Sequence, residues 1–124
     1  MIKIGLYSED RTLRPLLSSA LGKEFLVQQG SDAGAMNKLV SARECDVLIL
    51  DLNSNRDSLQ ERIEISRTLI ATNVPAVVMA DDGLRSTAFE LVRNGAFGYC
   101  RRPPSIREAE AGPGPKDPAH CRSA

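Results

Sequence analysis

The chain has 124 residues, 42% of them apolar and 26% charged, and its 16 basic and 16 acidic side chains give a formal net charge of zero. That is the length of one domain with room for a buried core. It excludes a global field that would attract nucleic acid, and no apolar run approaches the ~18 residues needed to cross a bilayer.

Residues 2–8, IKIGLYS, form a short apolar strand with no signal-peptide plan around it. Leu13, Leu16, Leu17, Ala20 and Leu21 then recur on one face of a helix, with Asp10 or Thr12 as cap, Pro15 in the first turn and Gly22 as the stop. FLVQQ at 25–29 predicts a second strand, and Ala35, Met36, Leu39 and Val40 a second helix over 32–43 capped by Ser31 or Asp32. The segment DVLILDLNSN follows, with four apolar residues, Val47 to Leu50, running into a carboxylate at Asp51. Residues 57–72 predict a third helix with Leu59, Ile63 and Ile70 on one line and Leu69 beside it. VPAVVMA at 74–80 is a fourth strand, residues 83–94 a fourth helix through Leu84, Ala88, Leu91 and Val92, and FGYC at 97–100 a fifth strand.

Continuously apolar strands alternating with helices predict a parallel sheet covered on both faces. Right-handed crossovers then bring every strand's carboxyl end to one edge, where such folds bind ligands. The pattern weakens at the end: a fifth helix can run only from about Pro104 to Ala111, and Gly112, Pro113, Gly114, Pro115 and Pro118 exclude a longer one. Residues 1–110 therefore read as the domain and 111–124 as an irregular, flexible tail. The tail is either an intrinsic extension or an altered, non-native end; the short helix's missing apolar face favours the second. Cys45, Cys100 and Cys121 lack metal-ligand spacing and read as structural thiols of a reduced, cytoplasmic protein. The one histidine, His120, lies in the tail, so no His-based catalytic or zinc site is expected.

Polar residues collect on the functional edge: Ser8, Glu9 and Asp10 after the first strand, Asp51 and Asn53 after the third, Asp81 and Asp82 after the fourth, and Arg101 and Arg102 after the fifth. Carboxylates gathered this way raise one another's pKa unless a cation is shared, and oxygen ligands suit Mg²⁺. Asp10, Asp57 and Asp82 have a plainer explanation as helix caps. For Asp51, directly after an apolar run, a cap on the following turn is the lesser reading and a site at the sheet edge the greater.

KIGLYSEDRTLRPLL, DVLILDLNSN, VPAVVMADD and NGAFGYCRRPP, in this order, resemble the receiver domain of two-component response regulators, of the chemotaxis-regulator kind, over residues 2 to about 108. The resemblance implies a flavodoxin-like, doubly wound sheet of five parallel strands in the order 2-1-3-4-5, with a truncated or altered fifth helix. It implies a phosphorelay role in which Asp51 accepts a phosphoryl group from a sensor histidine kinase or phosphotransfer protein, with no enzymatic activity beyond self-phosphorylation and autodephosphorylation. Mg²⁺ would be held by Glu9, Asp51 and the backbone carbonyl of Asn53, with Asp10 as a further candidate, in a weakened site. Three positions depart from the family: Ser8 replaces the first acid of the pair, Ala80 the hydroxyl after strand four, and Arg102 the lysine after strand five. Tyr99 matches the aromatic switch, and Arg102–Pro103 the usual Lys-Pro bond, expected cis. These departures predict an atypical receiver with slow or poorly coupled phosphorylation.

The alternative is a phosphorylation-independent interaction module, a pseudo-receiver. It would bind a partner or second copy through helix 4, strand 5 and the start of helix 5, with Leu84, Phe89 and Tyr99 on that face. Direct DNA binding would need a further domain. A flavin site is disfavoured because SEDRTLRP has no glycine to cradle a phosphate. A haloacid-dehalogenase-like phosphatase is disfavoured because Asn53 stands where its second aspartate should be.

Overall fold

The structure is a computed structural model that describes residues 1–54 and 56–102 and the backbone of 121–123. Five strands, β1 (Ile2–Tyr7), β2 (Phe25–Gly30), β3 (Val47–Asp51), β4 (Ala76–Ala80) and β5 (Gly98–Arg101), lie parallel in the order β2-β1-β3-β4-β5. This is the flavodoxin-like order expected from the sequence. A short β6 (Cys121–Ser123) adds an antiparallel edge to β5, placing Gly98 opposite Ser123. It falls within the segment read as an irregular tail. The helix expected over 104–111 and the Arg102–Pro103 bond lie outside the described residues.

Why the strands are continuously apolar is visible in β3, the central one. Leu48 and Leu50 pack with Tyr7, Met36 and Leu69 on one face, whereas Ile49 packs with Leu6, Leu13 and Met79 on the other. Alternate side chains enter different cores, so no position is left for a polar residue until the strand ends. A third cluster, Leu52, Val78, Ala80, Ala88, Leu91 and Tyr99, fills the space under the helix of residues 85–93. Cys45 is a buried free thiol, but Cys100 is disulfide-bonded, so the expectation of thiols throughout does not hold at Cys100.

The helices are α1 (Leu13–Leu21), α2 (Ala33–Ser41), α3 (Leu59–Ile70) and, after a 3₁₀ turn at Asp82–Leu84, α4 (Arg85–Arg93). Asp32 caps α2 through the Ala35 amide at 2.8 Å, as its sequence position suggests. Two other caps are displaced by one residue. Ser58, not Asp57, caps α3, accepting from the Glu61 amide at 3.1 Å. Asp81, not Asp82, caps the turn before α4, accepting from the Leu84 amide at 3.2 Å. Each displaced aspartate instead meets an arginine: Asp57 meets Arg62 and Asp82 meets Arg101. Asp10 does not cap α1 at its helical end; it accepts from the Thr12 amide and hydroxyl, closing the turn before the helix.

The inward face of α3 also differs from the apolar line. Its buried residues are Arg62, Ser66 and Leu69, and Leu59 is exposed. Positions 62, 66 and 69 are themselves one helical stripe, so the helix is rotated toward a polar side chain that finds partners inside.

Candidate functional site

Parallel pairing brings the ends of β1, β3 and β4 together: Tyr7 lies beside Leu50, and Asp51 beside Met79. Asp51 ends its strand with no solvent exposure, and Ser8, one residue past β1, is equally buried. The two are hydrogen-bonded, the Ser8 hydroxyl donating to Asp51 Oδ2 at 2.7 Å. The other oxygen, Oδ1, accepts from the Asn53 amide at 3.1 Å and from Arg102 Nε at 3.2 Å. Arg102 follows β5, and its amide bonds to the Ala80 carbonyl, which aims the side chain along the rim. Its Nη2 reaches Asp10 Oδ2 at 2.6 Å. One guanidinium therefore spans both carboxylates, a task its planar fork suits better than an ammonium.

The charges respond accordingly. Burial pushes the Asp51 carboxyl above the usual range, and the Ser8 bond, the Arg102 charge and the Asn53 amide only partly offset this. For Asp10, burial works upward too, but the Thr12 hydrogen bonds and Arg102 outweigh it and hold that carboxyl low. Arg102 is raised, because Asp51 and Asp10 overcome the desolvation that opposes its charge.

The residues assigned to Mg²⁺ do not converge. Glu9 points to Arg56, with oxygen and Nε 3.5 Å apart. Both Asp51 oxygens have partners, and the Arg102 guanidinium lies between Asp51 and Asp10 where a shared cation would sit. Among the described residues no group of three acidic, cysteine or histidine side chains is arranged to hold a metal ion. As arranged, this donor set does not fit Mg²⁺.

Asn53 is engaged elsewhere: its Nδ2 donates to Asp81 Oδ2 at 2.6 Å, and its Oδ1 accepts from the Asp81 amide at 3.2 Å. A cavity of about 410 Å³ opens over the rim, lined by Glu9, Asp10, Arg11, Asn53, Ser54 and Arg102. Asp51 is absent from its wall, and Arg102 forms part of the cover.

Ala80, fully buried, offers no hydroxyl. Tyr99 packs inward beside it, with a long 3.5 Å contact from its hydroxyl to the Ala80 carbonyl. Its ring meets Phe89 edge-on, with centroids 5.2 Å apart and planes at 71°. Phe89 is 45% exposed and Leu84 is half-buried. Pro103 lies outside the described residues. Sequence reading missed Arg56 and Arg62, which hold Glu9 and the loop after β3; an arginine on a helix gives no sign that it faces inward.

Sheet order, alternating strands and helices and a carboxylate at the end of the central strand define a flavodoxin-like domain with its polar rim at the carboxyl edge of the sheet. No family model matches the chain. The regulatory protein VirG of Agrobacterium tumefaciens (strain 15955) is 31% identical over 109 residues, which span 83% of this chain and 39% of that protein. Among solved structures, the receiver domain of the TMAO respiratory system response regulator TorR superposes with a TM-score of 0.70 at 17% identity, covering 90% of this chain and 92% of that one. A Burkholderia pseudomallei response regulator, solved with a phosphorylated aspartic acid, a calcium ion and citrate, gives 0.67 at 18% identity over 90% of this chain and 65% of that one. In fold the chain matches receiver domains of response regulators, and in sequence it is similar to a regulatory protein of whose length it spans well under half.

Proposed function

We propose that this is an atypical receiver domain of a two-component phosphorelay, in which Asp51 accepts a phosphoryl group slowly and passes the signal on weakly. The supporting observation is the closure of Asp51: no exposure, with both oxygens held by Ser8, Asn53 and Arg102. In the transfer, a carboxylate oxygen bonds to phosphorus while the P–N bond of a phosphohistidine breaks, and the leaving nitrogen takes up a proton. For attack, Arg102 must release Oδ1 or Ser8 must release Oδ2. Afterwards Ala80 offers the new phosphoryl group no hydroxyl, so Tyr99 lacks a partner through which to register it.

The donor in this reading is a sensor histidine kinase or phosphotransfer protein, and the domain is a signalling module of the cytoplasm. Any Mg²⁺ must compete with Arg102 for Asp51. The Phe89–Tyr99 pair supports a second reading, a phosphorylation-independent module whose exposed ring belongs to a docking or homodimer face. The discriminating experiment is incubation with Mg²⁺ and phosphoramidate, read by intact mass. Slow, substoichiometric gain of one phosphoryl group, abolished by Asp51→Asn, is expected. Rapid stoichiometric gain overturns the atypical reading, and no gain favours the second one.

A further inference from the structure

The rim chemistry makes no use of Arg62, yet this is the largest fully buried side chain among the described residues. A guanidinium taken out of water is costly unless it is well held. Arg62 is held on three sides, by three different elements. Nε donates to the main-chain carbonyl of Asp51 at 3.2 Å. Nη1 meets Asp57 Oδ2 at 3.2 Å. The guanidinium carbon lies 3.9 Å over the centre of the Tyr7 ring, a cation–π contact with a residue that is itself fully buried.

One hydrogen bond goes to the last residue of β3 and the other to the loop that follows it; Nη2 has no partner among the described residues. We infer that Arg62 is a positioning residue for Asp51: from inside the fold, its guanidinium holds the Asp51 carbonyl and the Asp57 carboxylate, and so fixes the loop bearing Asn53 without a cation on the rim. Asp51 is then bracketed by two arginines, Arg102 on its side chain and Arg62 on its main chain. The Tyr7 ring sets the depth of the inner one, because β1 is the neighbour of β3 and carries that ring at its last residue.

A plain packing role and a positioning role predict different behaviour. Replacing a buried ion with an apolar side chain of similar length is often neutral for global stability, whereas the loop must loosen if Arg62 holds it. The test compares Arg62→Met and Arg62→Lys with the unsubstituted chain by amide hydrogen exchange and urea unfolding. In Arg62→Met, exchange at Leu52, Asn53, Asp57 and Ser58 should rise about tenfold beyond any change in the rest of the sheet, in line with a lost charged hydrogen bond. Arg62→Lys should recover part of this, since an ammonium can serve one of the two acceptors. Loop exchange that only follows global stability in both variants overturns the inference. If the Met variant does not fold, the Lys variant and the Arg62 Nε–H of the unsubstituted chain decide, and fast solvent exchange of that proton counts against the role. Exchange needs no phosphodonor, so an Asp51 inert to phosphoramidate leaves this outcome readable.

Discussion

Arg102 lies 3.2 Å from Asp51 and 2.6 Å from Asp10, so a single side chain supplies the cation that two carboxylates share. A receiver site normally brings acids together and borrows its positive charge from solution. Here the charge is covalently attached, at high local concentration and in a geometry that fills Oδ1. The cost is access: the group that neutralises Asp51 also covers it.

Removing that cation should expose the debt. Arg102→Ala leaves a buried carboxylate without its partner, a change that typically costs on the order of 3 kcal/mol. We expect unfolding in urea with a chelator present to show a loss of about 2–3 kcal/mol, reduced because Asp51 can take up a proton. Added Mg²⁺ should restore part of the loss in the variant by binding the folded state, and should leave the unsubstituted chain unchanged. Equal stabilisation of both by Mg²⁺ would show that Arg102 does not occupy the cation position.

Asp51 itself should behave as a destabilising charge. Its folded-state pKa is raised by burial, so the folded chain binds more protons than the unfolded one between the ordinary carboxylate value and the raised one. Stability therefore falls as pH rises through that window. Asp10 acts in the opposite sense: its depressed pKa contributes stability at neutral pH that is lost as pH falls through the folded value. Asp51→Asn removes the first effect and should stabilise the fold at neutral pH. Urea midpoints across a pH series check it; destabilisation at neutral pH would mean the Arg102 pair outweighs burial.

Restoring a hydroxyl at Ala80 should not restore a switch cheaply. Ala80 is fully buried against Tyr99 in the α4 cluster, and added atoms in a filled core cost about 1–3 kcal/mol. Ala80→Thr is expected to lower the melting temperature, with Tyr99 displaced outward as seen in its aromatic proton shifts. A variant as stable as the original, with Tyr99 unmoved, would show unused space beside the ring.

The cap of α3 offers a simpler check. Ser58→Ala removes the acceptor for the Glu61 amide and should cost about 1 kcal/mol, whereas Asp57→Ala should act on the loop through Arg62. Circular-dichroism melts separate the two if the Asp57 effect disappears in an Arg62→Met background.

The strands were legible because burial on both faces forbids polar residues, and Val47 to Leu50 states that constraint without ambiguity. The position of Asp51 followed from strand topology, and the resemblance to receiver domains drew attention to Ser8, Ala80 and Arg102. What those substitutes do was not visible. Nothing in the sequence says that Arg102 reaches across the rim to Asp10, because a long side chain chooses its partner in three dimensions. The caps slipped by one residue for a related reason: Asp57 and Ser58 are both good caps, and the buried Arg62 drew Asp57 away. The inward face of α3 was misread because charged residues are expected outside, a rule that fails when three partners await one inside.

Asn53 and Asp81 hold each other through two hydrogen bonds, side chain to side chain and amide to side chain. Those bonds join the segment after β3 to the one that starts α4. The lip of the sheet is therefore a single piece rather than two independent flaps. A ligand that pulls on the Asn53 backbone must either unclasp Asp81 or drag the start of α4 with it. The segment after β3 and the start of α4 are thus tied to one another over the edge of the sheet.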